Sequence, residues 1–315
     1  MSPRIPGFKP NLATEYVINY ADSTIREFVK LLYLRDIKKI PISDSAFLNQ
    51  QETLLPFLKN GLGPWIEKNR QRTFLAFQEV MGFFGNLGLN GTRIPKLVTA
   101  VNHAFSKYKR GNGAFLASSG KINKCANMGF LRALLALGFA GDPRVEHACK
   151  EYLEFNLGRE GECHVRTDGN PCAYVMVRTL RWLNEFPTMW RNKNFRSAVN
   201  NVQSYLLAYD LSSVDYPRRM PEPNKNWFKF GYFRSYQSSI FEAAEALVLS
   251  GVHDHPVLQK ALELIGSQCI NGYTWKPKYI KKHWPLRLLL PQRGQQNGSP
   301  WLSLRGLRIA ASDDN

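Results

Sequence analysis

The sequence predicts an all-α chain built from repeated helical hairpins, and three observations carry that prediction. Three segments align with one another: Leu87-Gly88 to Pro95 to Gly113-Ala114-Phe115, Leu137-Gly138 to Pro143 to Gly161-Glu162-Cys163, and Ser250-Gly251 to Pro256 to Gly272-Tyr273-Thr274-Trp275. Between these marks apolar residues recur every three and four positions, the period of a helix with one buried face. No run of alternating apolar and polar residues competes with it. The unit is about 50 residues long, in the range of repeat architectures.

Thr24 to Tyr33 and Ser45 to Leu58 read as helices ahead of the repeats. Each repeat then reads as an A helix and a B helix. The A helices show in Met128-Leu131-Leu134-Leu135, in Val175-Thr179-Trp182-Leu183 and in Ile240-Ala243-Ala244-Leu247-Val248. Gly138 and Gly251 stop two of them, because glycine accepts the left-handed backbone that closes a helix C-terminus. The B helices start with Pro143 and Pro256 at their first position, behind Asp142 and His255 as N-caps. Their apolar stripes are Val145-Ala148-Cys149-Tyr152-Leu153 and Val257-Leu258-Ala261-Leu262-Ile265. A degenerate copy falls between Phe186-Pro187 and Asp210, and Ser299-Pro300-Trp301 opens a last helix over Leu302 to Ile309. Such an array either stays open as a solenoid or closes into a barrel of inner and outer helices.

The chain of 315 residues is 44% hydrophobic and 12% aromatic, which excludes a disordered polymer. Its best apolar stretch, Met128 to Ala140, is broken by Arg132 and is too short to span a bilayer, which needs ~20 residues. No secretory leader is visible in the first 30 residues, and an odd count of five cysteines argues against a disulfide framework. A cytoplasmic location is expected. The formal charge is +17, and two tracts hold much of the excess. No carboxylate lies between Glu79 and Asp142, or between Glu263 and Asp313. An anionic partner is implied: nucleic acid, a lipid surface or a phosphorylated small molecule.

The segment Cys125-Ala-Asn-Met-Gly-Phe-Leu-Arg-Ala-Leu-Leu-Ala-Leu-Gly-Phe-Ala-Gly-Asp-Pro-Arg-Val145, with Trp227-Phe-Lys-Phe-Gly-Tyr-Phe and Tyr236 further on, resembles the repeat superfamily of prenyltransferases and squalene cyclases. It is most similar to short prenyltransferase-like members from bacteria and archaea, over residues 15 to 310. Relatives favour Asp-Gly-Gly-Trp at the turn, where this chain has Asn112-Gly113-Ala114-Phe115, Glu160-Gly161-Glu162-Cys163 and Asn271-Gly272-Tyr273-Thr274-Trp275. The resemblance implies an α/α toroid with a central cavity, one domain over 1–315. Residues 1–60 form an N-terminal helical part, 61–310 the hairpin repeats and 311–315 a tail. It also implies binding, and in a catalytic version transformation, of an isoprenoid-type ligand with an anionic head.

In a toroid the A helices form the inner ring. Cys125 stands 13 residues before Gly138, Ser238 13 before Gly251 and Cys172 13 before Glu185, so all three are expected at helix N-termini on one rim. Free N–H groups there attract anions and acidify thiols. Lys107, Lys109, Arg110, Lys121, Lys124, Lys276, Lys278, Lys281 and Lys282 fall in the loops entering these helices and are expected to hold the anionic head. Phe230, Tyr232, Phe233, Tyr236, Trp275, Trp284 and Trp301 are expected to line the cavity, where π faces suit an isoprenoid chain or a developing carbocation. The alternative for each is an ordinary aromatic core with lysines solvating its loops.

Cys125, Cys163, His164 and Cys172 offer three sulfurs and an imidazole, a donor set sufficient for tetrahedral Zn²⁺, although their spacing matches no standard zinc finger. Protein prenyltransferases of the superfamily use zinc to activate a thiol with Asp, Cys and His ligands, a pattern not reproduced here. Were the chain a transferase, Cys125, Cys172 and Tyr236 would be its catalytic candidates. Cys149 and Cys269 are expected on B-helix surfaces as packing residues. Squalene-type cyclisation is not expected, because the Asp-x-Asp-Asp cluster is absent; Asp168, Asp210 and Asp215 read as isolated turn residues. No Asp-rich run is present to hold Mg²⁺ either. Two other classes remain. Asn224 to Arg234 and Trp275 to Trp284 interleave cations with aromatics as single-strand nucleic-acid binders do, and Lys276 to Trp284 has the makeup of a membrane-surface segment. A non-catalytic scaffold holding a ligand or peptide is the remaining alternative.

Overall fold

The computed structural model describes residues 4–21, 23–40, 74–86, 89–110, 113–115, 124–156, 172–186, 193–213, 225–231, 238–278 and 298–312. Among them helix is the only extended regular structure, accompanied by two isolated bridges. The expected helix at Ser45 to Leu58 lies outside the described residues. The chain clusters into two compact units, Met1–Ile42 with Pro171–Asn315, and Ser43–Asn170.

The first unit holds α1 (Pro10–Ile18), α2 (Ser23–Asp36), α7 (Ala173–Glu185), α8 (Lys193–Leu207), α9 (Ile240–Leu249), α10 (Pro256–Ser267) and α11 (Pro300–Ala310). Helices α7, α9, α11 and α2 pack side by side in that order, with α8 against α7, α10 against α9, and α1 against both α2 and α11. Burial separates the two helix kinds. Every residue of α9 from Ile240 to Val248 is buried, whereas α10 buries the stripe Leu258, Ala261, Leu262 and Ile265. A helix buried all round belongs in an interior, and one with a single stripe belongs on the outside. Each large aliphatic in such a stripe stabilises the fold by about 2 kcal/mol.

Both ends of the chain meet in this unit. The Lys9 N–H donates to the Gly272 carbonyl at 2.6 Å, and Phe8 stacks on Trp275 at 5.2 Å. Helix α1 itself has no counterpart in the sequence prediction. Its stripe is short, Ala13 and Val17, and tertiary packing on α11 supplies what local pattern does not.

The second unit holds α3 (Phe74–Asn86), α4 (Pro95–Lys107), α5 (Lys124–Ala136) and α6 (Pro143–Asn156). Helix α3 packs on α5, and α5 on α6. The punctuation expected from the sequence is present. Gly138 and Gly251 have φ of 84° and 90°, and Asp142 accepts from the Arg144 N–H at 2.9 Å while His255 accepts from the Val257 N–H at 3.2 Å. Two turns after B helices share a construction. Arg110 N–H donates to Ala114 C=O in one, Ile270 N–H to Thr274 C=O in the other, with Gly113 and the pair Asn271-Gly272 at positive φ. Each turn is then tied to the next A helix. The Asn127 amide brackets the backbone of Phe115 (2.6 and 2.9 Å), and the Thr274 hydroxyl brackets that of Ser299 (3.0 and 3.3 Å).

Candidate functional site

The first unit carries an aromatic row: Phe230, Phe241, Trp275 and Phe8, with successive ring centroids 5.2, 4.8 and 5.2 Å apart. Phe230 and Phe241 meet edge to face, and so do Phe241 and Trp275, as ring quadrupoles favour. The Trp275 indole N–H donates to the Ile265 carbonyl at 2.8 Å, so the ring is fixed by α10 as well. Gly306 on α11 makes room for it; a Cβ there would stand 2.8 and 2.9 Å from the indole.

The basic segment that follows Trp275 is joined to this row. Lys278 donates its backbone N–H to the Phe230 carbonyl at 3.0 Å, and its ammonium bonds the Gln268 side chain at 2.9 Å. Two of the sequence-predicted sets, Phe230 with Trp275 and Lys276 with Lys278, are therefore neighbours. Lys276 and Lys278 are exposed, whereas Phe230, Trp275 and Trp301 are buried within the chain's own core.

Behind the aromatic row lies an ionic network that sequence reasoning missed. Arg305 sits over the Phe241 ring at 5.8 Å and faces Glu242 at 3.5 Å and Glu245 at 3.3 Å. Arg181 pairs with Glu242 at 3.2 Å and Glu185 at 3.4 Å, and Arg308 pairs with Glu245 at 3.3 Å and with Asp36. The network crosses α7, α9, α11 and α2 and matches four carboxylates with Arg181, Arg305, Arg308 and, beside Asp36, Arg35. Burial pushes the Glu245 carboxyl upward, but the charges of Arg305, Arg181 and Arg308 outweigh it and leave it below the usual carboxylate range. Burial opposes the charge on Arg181 too, and Glu185, Glu245 and Glu242 reverse that shift upward. Asp36 is held at about 2, where the charges of Arg308 and Arg35 overcome its burial. The signal in the sequence was the spacing: Glu242/Glu245 and Arg305/Arg308, each three apart, on helices otherwise apolar all round.

The other predicted positions divide as follows. Cys172 is the buried N-cap residue of α7, and Cys125 is the second residue of α5, so both stand at helix N-termini as expected. Lys124 opens α5. Cys163, His164, Lys121, Tyr232, Phe233, Tyr236, Lys281, Lys282 and Trp284 lie outside the described residues. Among the described residues no group of three His, Cys, Asp or Glu side chains is arranged to hold a metal, and Cys172 is the one zinc candidate whose side chain is described. Lys109 is engaged by Glu151 at 3.1 Å, while Lys107 and Arg110 are exposed. Cys149 is fully buried, as a packing residue of the α6 stripe is expected to be, and burial, followed by the charge of Glu146, raises its thiol to about 12. Asp210 is the turn residue it was expected to be, accepting from the Ser212 N–H and hydroxyl.

In comparisons with protein families, curated proteins and solved structures, nothing matches the chain. No helix among the described residues is long and apolar enough to cross a membrane.

Proposed function

We propose that the chain is a closed α/α toroid of helical hairpins that binds a hydrophobic, isoprenoid-type ligand through an anionic head. Two observations support the closed form over an open solenoid. An open array leaves its first and last repeats apart, whereas here α1 and α2 pack on α11. Interior helices buried all round alternate with outer helices carrying one stripe, as a two-ring wall requires.

The observation that carries the ligand reading is the bond from Lys278 to Phe230. It seats exposed Lys276 and Lys278 at the edge of the row formed by Phe230, Phe241 and Trp275. Exposed cations beside an aromatic cluster are what a diphosphate joined to an isoprenoid tail requires, and with no Asp-rich run to hold Mg²⁺ the lysines take up the neutralising charge.

Titration calorimetry with farnesyl and geranylgeranyl diphosphate at physiological salt tests this. Saturable binding that weakens at least tenfold in the double variant Lys276→Glu/Lys278→Glu is the expected result. Absence of saturable binding, or binding indifferent to the charge reversal, overturns the proposal.

A further inference from the structure

The carboxylate-free tract between Glu79 and Asp142 belongs to the second unit. Helix α4 buries Leu97, Ala100, Val101 and Ala104. Lys96 and Lys107 flank that stripe and are exposed, as are Thr99 and Ser106 on the helix and Arg93 and Arg110 beyond its two ends. Lys96 and Lys107 are eleven residues apart, about three turns and about 16 Å, so they stand on one line of the helix. Arg110 follows three residues past the helix end, its guanidinium donating to the Lys109 carbonyl at 2.9 Å. No carboxylate among the described residues pairs with Lys96, Lys107 or Arg110, and no acidic residue occurs in the sequence from 80 to 141.

Other outer helices show what an ordinary solvated face looks like here. On α6, Lys150 pairs with Glu146 at 2.7 Å and His147 with Glu151 at 3.3 Å. On α10, Lys260 is 3.5 Å from Asp210, and Glu263 is exposed nearby. On α4 and just past its end, Lys96, Lys107 and Arg110 have no such partner among the described residues, although Lys109 between the last two is engaged by Glu151.

We propose that this side of α4, from Lys96 to Arg110, docks on the phosphate backbone of a nucleic-acid duplex. Phosphates are recognised by cations with hydroxyl and amide groups between them, without sequence information. Single-strand binders need exposed rings for bases to stack on. This face has none: Tyr108 is buried and Phe105 is half-buried, covered by Arg144 at 5.2 Å. The aromatics Trp227, Phe230 and Trp275, which suggested a single-strand binder in the sequence, are core residues of the other unit. A lipid surface requires apolar side chains to insert alongside the cations. The large apolar side chains exposed among the described residues, Leu12, Ile40, Tyr209 and Leu249, all belong to that other unit.

Fluorescence anisotropy with labelled 20-bp DNA and RNA duplexes, set against vesicles of phosphatidylcholine and phosphatidylserine, tests the proposal on the full chain. Three phosphate contacts give a log–log salt slope of about −3, so affinity falls about 40-fold between 50 and 200 mM salt. Lys107→Gln makes the slope shallower by about 1, and Lys96→Glu/Lys107→Glu/Arg110→Glu lowers duplex affinity at least 30-fold. These side chains are exposed, so far-ultraviolet circular dichroism and the urea midpoint remain those of the wild type. The variant Lys276→Glu/Lys278→Glu, which tests the isoprenoid site, retains duplex binding. The proposal is overturned by failure to bind either duplex at 50 mM salt, by binding to anionic vesicles in place of duplex, or by equal losses in the two charge-reversed variants. That last result would assign binding to net charge alone.

Discussion

Arg308 on the last helix and Asp36 on the second form an ion pair across 272 positions of sequence, with Nε to Oδ2 at 3.0 Å. The pair couples both ends of the chain to the network on α9 and α7, because the other arm of Arg308 holds Glu245. Removing it should loosen the closure of α2 on α11 without disturbing the second unit.

The pH dependence of stability follows from the same pair. Asp36 is depressed from 3.8 to about 2, so the unfolded chain takes up this proton first as pH falls. Its contribution, about 2 kcal/mol, is full above pH ~4 and disappears as pH drops to about 2. Urea midpoints measured from pH 6 to pH 2 should fall over that window, and Asp36→Asn should remove part of the decline. A pH profile identical in the variant would show that the pair does not contribute.

Arg305 is the most enclosed cation of the network, facing two glutamates that are themselves buried. Arg305→Met leaves Glu242 and Glu245 short of a positive charge in the interior, and such a loss costs about 3–5 kcal/mol. Chemical denaturation should show a lower midpoint with an unchanged m-value. A loss under 1 kcal/mol would mean that Arg181 and Arg308 suffice.

Two glycines should respond to alanine for different reasons. Gly113 has φ 65°, and a Cβ there would meet Ala148 O and, at 2.6 Å, Tyr152 N, both rigid backbone of α6. Gly113→Ala should cost roughly 3 kcal/mol or more. At Gly306 the obstacle is the Trp275 ring at 2.8 Å, held in place by Ile265, Phe8 and Phe241. Crowding of about 1–3 kcal/mol then competes with alanine's helix advantage of about 1 kcal/mol, so Gly306→Ala should be mildly destabilising. Gly141, with nothing within 4 Å of its added Cβ, is the control expected to change little in thermal unfolding.

Ser239 caps α9 through a capping box: its hydroxyl accepts from the Glu242 N–H at 3.4 Å, and its own N–H donates to Glu242 Oε2 at 3.0 Å. The other oxygen of Glu242 faces Arg181 and Arg305, so the cap also orients a network carboxylate. Ser239→Ala should lose about 1 kcal/mol from the cap. A double-mutant cycle with Arg305→Met should give a non-additive remainder, whereas strict additivity would separate cap from network.

Thiol chemistry should follow burial. Burial and then the Glu146 charge hold Cys149 at about 12, and burial holds Cys269 at about 11, so neither is an efficient thiolate near neutral pH. Titration with an aromatic disulfide at pH 8 should leave Cys149 unmodified in the native protein and reach all five cysteines only in denaturant. Rapid native labelling of Cys149 would contradict its placement in the α6 core.

Local marks were readable wherever a single residue decides backbone geometry. Gly138 and Gly251 stop their helices with positive φ, Pro143 and Pro256 start the next ones, and Asp142 and His255 cap them, because each effect operates within about four residues of chain. The candidate site was readable only in pieces. Phe230, Trp275, Lys276 and Lys278 were identifiable by type, yet their grouping depends on the Lys278–Phe230 bond between segments 48 residues apart.

The sequence alone determined the helical class, the hairpin period and the two tracts without carboxylates, since propensity, capping and composition are local or additive. Tertiary structure decided which charges became interior partners and which stayed on the surface. Arg305 and Arg308 belong to one basic tract, but α9 offered them Glu242 and Glu245, and desolvation made that pairing obligatory. Lys96, Lys107 and Arg110 belong to the other tract, found no carboxylate among the described residues, and remain exposed.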